Sequence, residues 1–471
     1  MRDKLYVGPR IRALREARGL RLEACARQLE LSTSYLSQIE TNQRPVTPRV
    51  LIALSRYFGV SPREFATDDE SRLIADLREA TADLALDAAS PNLAELKLAA
   101  ATTPTLARQF LALHRAYRAL DERMLRFDET VKIRTEDAPD SRIPYQEVRD
   151  FFHYRDNYVD ELDVAAEALA AEIGAGGTGG LVAVLEQALA ERHGIRVAPV
   201  PSPEPGYIRR YDAATRTLSL GRDLAEPTRA FQLATQLADL SFGPLFDQVL
   251  ATAGLKSVTA REIARIGLGN YAAGALTMPY RHFAASAMAL RHDIEQLQHR
   301  YTASFEQVSH RLSTLQRPGA RGVPFYFVRV DQAGNITKRH SSTRFQFARF
   351  GGACPLWNVH EAFGHPGRIM VQLAEMPDGV RYLCIGRSIV KRSGNYLQPN
   401  RHYAIGIGCE VAHADKVVYS EGLRLDGAAV PVGVSCRICE RPNCHQRAFP
   451  PLGRRLTVEP GIRRVVPYAI E

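Results

Sequence analysis

The feature that most restricts how this 471-residue chain can fold is a change of hydrophobic period at Arg317-Pro318-Gly319-Ala320-Arg321-Gly322. Upstream, residues 70–175 are rich in Ala, Leu, Glu and Arg at helical spacing, with few prolines. Short strands are expected near 195–220 and long helices near 226–250, 258–278 and 280–315. Downstream, residues 325–331, 338–350, 367–376 and 380–389 alternate and are rich in β-branched and aromatic residues, as strands are. The expected fold is therefore multidomain, mainly α in the N-terminal two thirds, with an α+β C-terminal domain. The expected divisions are 1–68, 69–175, 176–316 and 317–471. Gly174 to Gly180 (GAGGTGG) reads as a flexible turn.

Composition excludes some classes. With 45% hydrophobic and 24% charged residues, the chain is neither disordered nor fibrous. The most apolar stretch, 164–190, is interrupted by Glu167, Glu172 and Glu186, so no membrane span is expected. The first sixteen residues, MRDKLYVGPRIRALRE, lack the apolar core of a secretory signal. A cytoplasmic protein without a membrane partner follows as the expectation. In that compartment clustered cysteines indicate metal or redox chemistry before a disulfide.

Charge is unevenly spread. Residues 1–66 contain twelve Arg and Lys against six Asp and Glu, which is +6 of the net +9. Ile11 and Leu14 share a helical face that Gly19 closes, and Leu22, Cys25, Ala26 and Leu29 form the buried stripe of a second short helix. Ser32 caps a third helix, 33–41, with Leu36 and Ile39 inward and Thr33, Ser34, Ser37 and Gln38 on its polar face. Thr47 caps a fourth, and Ser61-Pro62 opens a fifth. Two short helices, a tight turn and a polar-faced helix in a basic bundle describe a helix-turn-helix. Residues 32–40 resemble the recognition helix of Cro/phage-repressor-like (XRE) domains, although Glu30 stands where a glycine is frequent and Leu22 where a glutamine is. Thr33, Ser34, Ser37 and Gln38 are the expected base and phosphate contacts, and Arg44 and Arg49 the phosphate holders. One such module covers half an operator, so double-stranded DNA and a homodimer are the expected partners.

Residues 229–240 and 269–280 resemble the ImmA/IrrE metallopeptidase-like domain. In active relatives the first stretch carries H-E-x-x-H, where two imidazoles one turn apart hold zinc and the glutamate activates water. Here those positions are Thr235, Gln236 and Asp239, and Ile266 to Asn270 offers no acidic third ligand. Zinc hydrolysis lacks its ligands, and no catalytic residue is expected. His360-Glu361-Ala362-Phe363-Gly364-His365 has the wrong spacing: five residues turn a helix by about 500°, leaving the rings roughly 140° apart.

Cys436-x-x-Cys439-x-x-x-x-Cys444 is the compact cysteine group. Two-residue spacing lets two thiolates reach one metal, and Pro442 favours the bend that returns Cys444. Cys409 is the first choice for a fourth ligand, then Cys354, then His445; zinc and an iron–sulfur cluster both suit such thiolates. Residues 354–379, 406–419 and 436–451 resemble the short-chain fatty acyl-CoA regulator family, and that resemblance spans nearly the whole chain. It implies a transcriptional regulator of short-chain fatty acid assimilation genes. Its effector would be an acyl-CoA of the propionyl or acetyl class, with a four-iron cluster in at least some members. A CoA site needs cations beside an aromatic or apolar platform. Arg368, Arg387, Lys391, Arg392 and Trp357 are the candidates. The competing classes are an iron–sulfur redox sensor and a repressor-cleaving metallopeptidase; Thr235, Gln236 and Asp239 argue against the second.

Overall fold

The structure, a computed structural model, describes residues 7–41, 43–59, 68–83, 91–130, 144–175, 180–200, 207–343, 345, 347, 353–393, 396–451 and 454–470. It divides into two compact units, residues 1–137 with 449–471, and residues 138–448.

The first unit opens with α1 (Gly8–Ala17), α2 (Leu22–Gln28), α3 (Thr33–Glu40) and α4 (Pro48–Phe58). Ile11, Cys25, Leu36, Ile39, Leu54 and Phe58 form their common core. The fifth helix expected at Ser61-Pro62 lies outside the described residues. Next come α5 (Asp68–Asp83), α6 (Leu93–Thr102) and α7 (Pro104–Thr130). They pack through Leu73, Leu77, Leu96 and Leu111, with Asn92 and Glu95 forming a capping box at the start of α6. A short antiparallel pair, Leu456–Thr457 with Ala469–Ile470, belongs to this unit.

The second unit begins with α8 (Pro144–His153), α9 (Asp160–Ile173) and α10 (Leu181–His193). A small sheet follows, in which β1 (Arg196–Val200) runs parallel to β3 (Thr217–Gly221) and β2 (Arg209–Asp212) runs antiparallel to it. Then come α11 (Glu226–Ser241), α12 (Gly243–Ala251) and α13 (Val258–Thr277). The long helix expected over 280–315 is three: α14 (Tyr280–Ala289), α15 (Ile294–Tyr301) and α16 (Phe305–Leu312). The chain turns through left-handed Arg291 and His292, and again at Thr302. Asp293 and Ser304 then cap the next helices, so local capping overrides a continuous apolar stripe.

The C-terminal sheet has the order β5-β4-β8-β7-β6, all antiparallel: β4 (Tyr326–Asp331), β5 (Ile336–Ser341), β6 (Met370–Glu375), β7 (Arg381–Lys391) and β8 (Arg401–Glu410). Side-chain alternation gives it two apolar faces. One carries Leu383, Ile385, Ile405 and Ile407 against Phe283, Leu297, Phe305 and Val308. The other carries Tyr326, Val328, Tyr382 and Cys384 against Trp357, Val359 and Phe345, with the short α17 (Asn358–Glu361) lying on it. Glycines in β8 allow this close cover: a Cβ on Gly408 would stand 2.4 Å from the Leu383 carbonyl oxygen, and one on Gly406 2.7 Å from Val328 Cγ1.

Residues 317–322 turn without separating the sheet from the helices. Asp163, wholly buried on α9, accepts two hydrogen bonds from Arg311, at 2.8 and 2.9 Å, and one from the Tyr271 hydroxyl at 2.6 Å. Arg317 reaches Glu167 at 2.8 Å and the Tyr158 hydroxyl at 3.0 Å. Burial alone would lower the Arg311 pKa, but contact with Asp163 outweighs it and holds the guanidinium charged. No helix among the described residues is long and apolar enough to cross a membrane.

Candidate functional site

Ser32 takes the N-cap of α3, its Oγ accepting from the Tyr35 amide at 3.1 Å. The helix is fixed from below: Glu40, buried at its C-terminal end, accepts from Arg15 Nε at 2.7 Å and Nη2 at 2.8 Å. Arg15 Nη1 also donates to the Leu20 carbonyl at 2.9 Å, tying α1 to the loop before α2. Thr33 and Ser34 are exposed and Ser37 and Gln38 half-buried, so the expected polar face is presented. Arg44 is exposed, with its guanidinium 5.7 Å from the Tyr35 ring centre, and Arg49 is exposed in the first turn of α4. Glu30 has φ +56°, a left-handed conformation that a glycine would adopt without strain.

On α11, Thr235 turns its hydroxyl back onto the Phe231 carbonyl at 2.7 Å, and Gln236 is buried. Asp239 accepts from Arg209 Nη2 at 2.8 Å, while Arg209 Nη1 reaches the Gln232 carbonyl at 3.2 Å. The cation beside this helix is therefore a guanidinium supplied by β2. Arg209 went unnoticed in the sequence because its partner lies thirty residues away with no periodic signal. The α13 backbone comes close at Gly269, where a Cβ would meet Asp239 Oδ1 at 2.7 Å. His360 and His365 do not converge: His360 stands edge-on to Trp357, and His365 lies 3.8 Å from exposed Glu361.

The cysteines separate by sheet face. Cys409 on β8 faces the side packed by Phe305 and Val308, and burial pushes its thiol pKa well up, with Cys384, Glu410 and Asp415 adding to the rise. Cys354 belongs to the opposite face. Its thiol pKa is raised by burial and then, more weakly, by Cys436 and Cys439 nearby. The structure thus brings Cys354 near Cys436 and Cys439, while Cys409 points to the opposite face of the sheet. Within the loop the Ala448 amide donates to Cys436 Sγ at 3.4 Å. The buried Arg447 guanidinium donates to the carbonyls of Cys436 and Cys439, both at 3.2 Å, and of Arg441. A buried cation and an N–H···S contact suit thiolates. Among the described residues no three His, Cys, Asp or Glu side chains stand together as a metal ion requires.

The five CoA candidates do not form one surface. Trp357, 3% exposed, is a core residue packed among Tyr326, Phe345 and Phe347, on the sheet face opposite Arg387 and Lys391. Arg368 and Arg392 are exposed. Arg387 pairs with Glu295 at 3.1 Å, over the Phe305 ring. Lys391 lies 2.6 Å from Glu306, whose other oxygen accepts from Arg329 at 2.8 Å. Tyr403 lies beneath both cations. Burial by itself raises the Glu306 pKa, but Lys391, Lys338 and Arg329 together hold it below the ordinary glutamate value. Sequence reasoning missed Arg329 and Lys338; the signal available was their shared parity on adjacent strands, where they pair in register.

Three family models match consecutive stretches: a helix-turn-helix domain over residues 7–67, an IrrE N-terminal-like domain over 190–313, and the C-terminal domain of short-chain fatty acyl coenzyme A regulators over 314–468. The chain is 50% identical to a propionyl-CoA carboxylase regulator of Cereibacter sphaeroides, over all of both chains. It is 45% identical to the HTH-type transcriptional regulator RamB of Mycobacterium tuberculosis, covering all of this chain and 99% of that one. It is 43% identical to the HTH-type transcriptional regulator PrpR of the same organism, covering 99% and 96%. A solved Mycobacterium tuberculosis transcriptional regulator, 47% identical, superposes with a TM-score of 0.66 over 69% of this chain and 99% of that one.

Proposed function

This chain belongs to the short-chain fatty acyl coenzyme A regulator family of helix-turn-helix transcriptional regulators, and from that membership we propose how it works. It binds an operator as a homodimer through α3 and changes promoter occupancy when an acyl-CoA of the propionyl or acetyl class binds the second unit. The observation that carries the DNA half is the polar face of α3, capped by Ser32 and braced by the Arg15–Glu40 pair. Thr33, Ser34, Ser37 and Gln38 address base edges or phosphates, and Arg44 and Arg49 neutralise phosphates. The effector half rests on the family and on the named role of the Cereibacter relative.

Proteolysis is not part of this reading. With Thr235 bonded to its own helix and Asp239 held by Arg209, the positions of the zinc motif on α11 offer no imidazole to a metal, and their one carboxylate is already paired. The α11 region serves as scaffold.

The thiol loop supports a second component. Cys354, Cys436, Cys439 and Cys444 would hold an iron–sulfur cluster, with zinc as the alternative. When bound, such a group supplies a covalent tie and, for iron, an electron-accepting centre. Arg447 and the Ala448 amide hold the loop in place and offset thiolate charge. Anaerobic Cys354→Ser and Cys409→Ser variants separate the fourth ligand: iron content and visible absorption should fall in the first and persist in the second.

Promoter binding tests the core of the proposal. Gln38→Ala should relax discrimination by about 1–3 kcal/mol at its base pair. Arg44→Ala should weaken all sequences alike and reduce the salt dependence. Specific promoter binding by a chain lacking residues 1–66 would overturn the assignment to α3.

A further inference from the structure

Helix α7 carries more apolar surface than its own unit covers. In the sequence, apolar residues recur along it at alternating steps of four and three: Leu106, Phe110, Leu113, Tyr117, Leu120 and Met124. This is the spacing of a coiled-coil seam, held through about three heptads, with Phe127 as the next position of the series. Ala107 and Leu111 point elsewhere and join the core that α7 shares with Leu73 and Leu77 of α5 and Leu96 of α6. The seam lies roughly 100° round the helix from them. Phe110, nearest that border, is half-buried, while Leu106, Leu113 and Tyr117 stay 63%, 69% and 47% exposed. Single exposed apolar residues are ordinary, but a row in register along one helix marks a surface that another molecule covers.

The charges along α7 say what fits it. Residues 104–118 carry Arg108, Arg115 and Arg118 and no acid. Residues 119–130 carry Asp121, Glu122, Asp128 and Glu129 against Arg123 and Arg126. A second copy of the helix laid antiparallel brings the basic half of each against the acidic half of the other. Parallel packing would set like against like. A two-fold interface uses the same patch on both copies, and this patch is complementary to itself when reversed. From Leu106 to Phe127 the seam is about 33 Å long. At about 10 Å wide it offers roughly 330 Å² per copy, under half of the ~800 Å² per partner of a standard interface. Such a pair is too small to hold two free chains together, but it acts once an operator has brought them side by side.

We infer that the exposed face of α7 is the contact between two copies of this chain on one operator. The contact is an antiparallel helix pair, its two-fold axis near Tyr117, and it makes operator binding cooperative. This role presupposes α3 as the helix that binds each half-site, and α7 belongs to the same compact unit as α3.

The test uses the full chain, a promoter fragment and the same fragment cut to one half-site. Free wild type should sediment mainly as a monomer at micromolar concentration and bind the whole fragment cooperatively. Leu113→Glu changes an exposed position and leaves the core of the unit alone. It should weaken binding to the whole fragment by about tenfold or more and flatten the isotherm. Its affinity for the single half-site and its circular dichroism should match those of the wild type, which shows that it is folded. Under a bismaleimide cross-linker, Tyr117→Cys should join to its twin on the operator beyond the wild-type background. Leu106→Cys should not join to its own twin, but should join to Phe127→Cys when the two variants are mixed. Undiminished cooperativity in folded Leu113→Glu overturns the α7 pair. So does a Tyr117→Cys link to another part of the same chain, because the seam is then covered from within. A Leu106→Cys link to its own twin overturns the antiparallel order. Should the wild type bind no promoter DNA, the operator reading fails, and cross-linking of Tyr117→Cys in concentrated free protein still decides whether α7 pairs with itself.

Discussion

Two carboxylates in the second unit each gather several cations, and they do so in opposite settings. Asp163 is wholly buried, accepts from Arg311 twice and from Tyr271, and shares Arg317 with Glu167, so two acids meet two arginines. Glu306 sits at a half-open face and is contacted by Arg329 and Lys391, with Lys338 close enough to act on it, so one acid meets three cations. A sealed, balanced set joins α9, α13 and α16 and has no capacity left for a ligand. An open set with surplus positive charge is less fully compensated. Identical residue types therefore close into a balanced set in one place and leave a surplus of positive charge in the other, and the count of acids against cations separates the two.

The largest effect should come from breaking the sealed set. Asp163→Ala leaves Arg311, 2% exposed, without its counter-charge and should cost about 3–5 kcal/mol, read from urea unfolding. Removing both partners, Asp163→Ala with Arg311→Met, should restore part of that loss. No recovery in the double variant would break the comparison, since the cost would then not be an uncompensated charge.

At the open set, Glu306→Gln should cost about 2 kcal/mol at pH 7, the scale of hydrogen bonds to charged groups. The pH dependence has a definite sign. Because the folded pKa of Glu306 is depressed, its contribution is present above the unfolded value of about 4.3 and is lost as pH falls through the folded value. Stability curves between pH 5 and the acid limit should be flatter for the variant than for the wild type.

Lys338→Met should move stability the other way. A folded pKa of about 8, below the unfolded value of about 10.4, means the native state disfavours the ammonium. The wild type should gain stability as pH rises from about 8 towards 10.4, and the variant should lack that gain. At pH 7 the variant should melt higher; a lower Tm would place Lys338 with the cohesive residues. The smallest effect belongs to Arg209→Met. Arg209 and Asp239 are 24% and 36% exposed, and losing their pair should cost below about 1 kcal/mol in thermal unfolding.

The helix-turn-helix was legible because its signals are local: Ser32 caps, Leu36 and Ile39 repeat, and the polar residues fall on the remaining face of α3. The cysteine loop was legible as a spacing, but its fourth member was not. Cys409 is the nearer of the two candidates in sequence, and only the pleat of β8 reveals that it points to the other side of the sheet from Cys354. Strand β8 itself was not anticipated. Ile405-Gly406-Ile407-Gly408 has poor intrinsic strand preference, yet those glycines are what let Tyr326, Val328 and Trp357 lie against the centre of the sheet.

What the sequence by itself determined is the order of helical and strand regions, the polar face of α3 and the absence of zinc ligands at Thr235, Gln236 and Asp239. Each depends on residue types at spacings within a single element. What only the tertiary structure decided is which charges meet. Arg209 with Asp239, Arg311 with Asp163, and both Arg329 and Lys391 with Glu306 are pairings across 23 to 148 positions of chain. Coulombic interaction depends on distance in space and on burial, and neither is written into the order of residues.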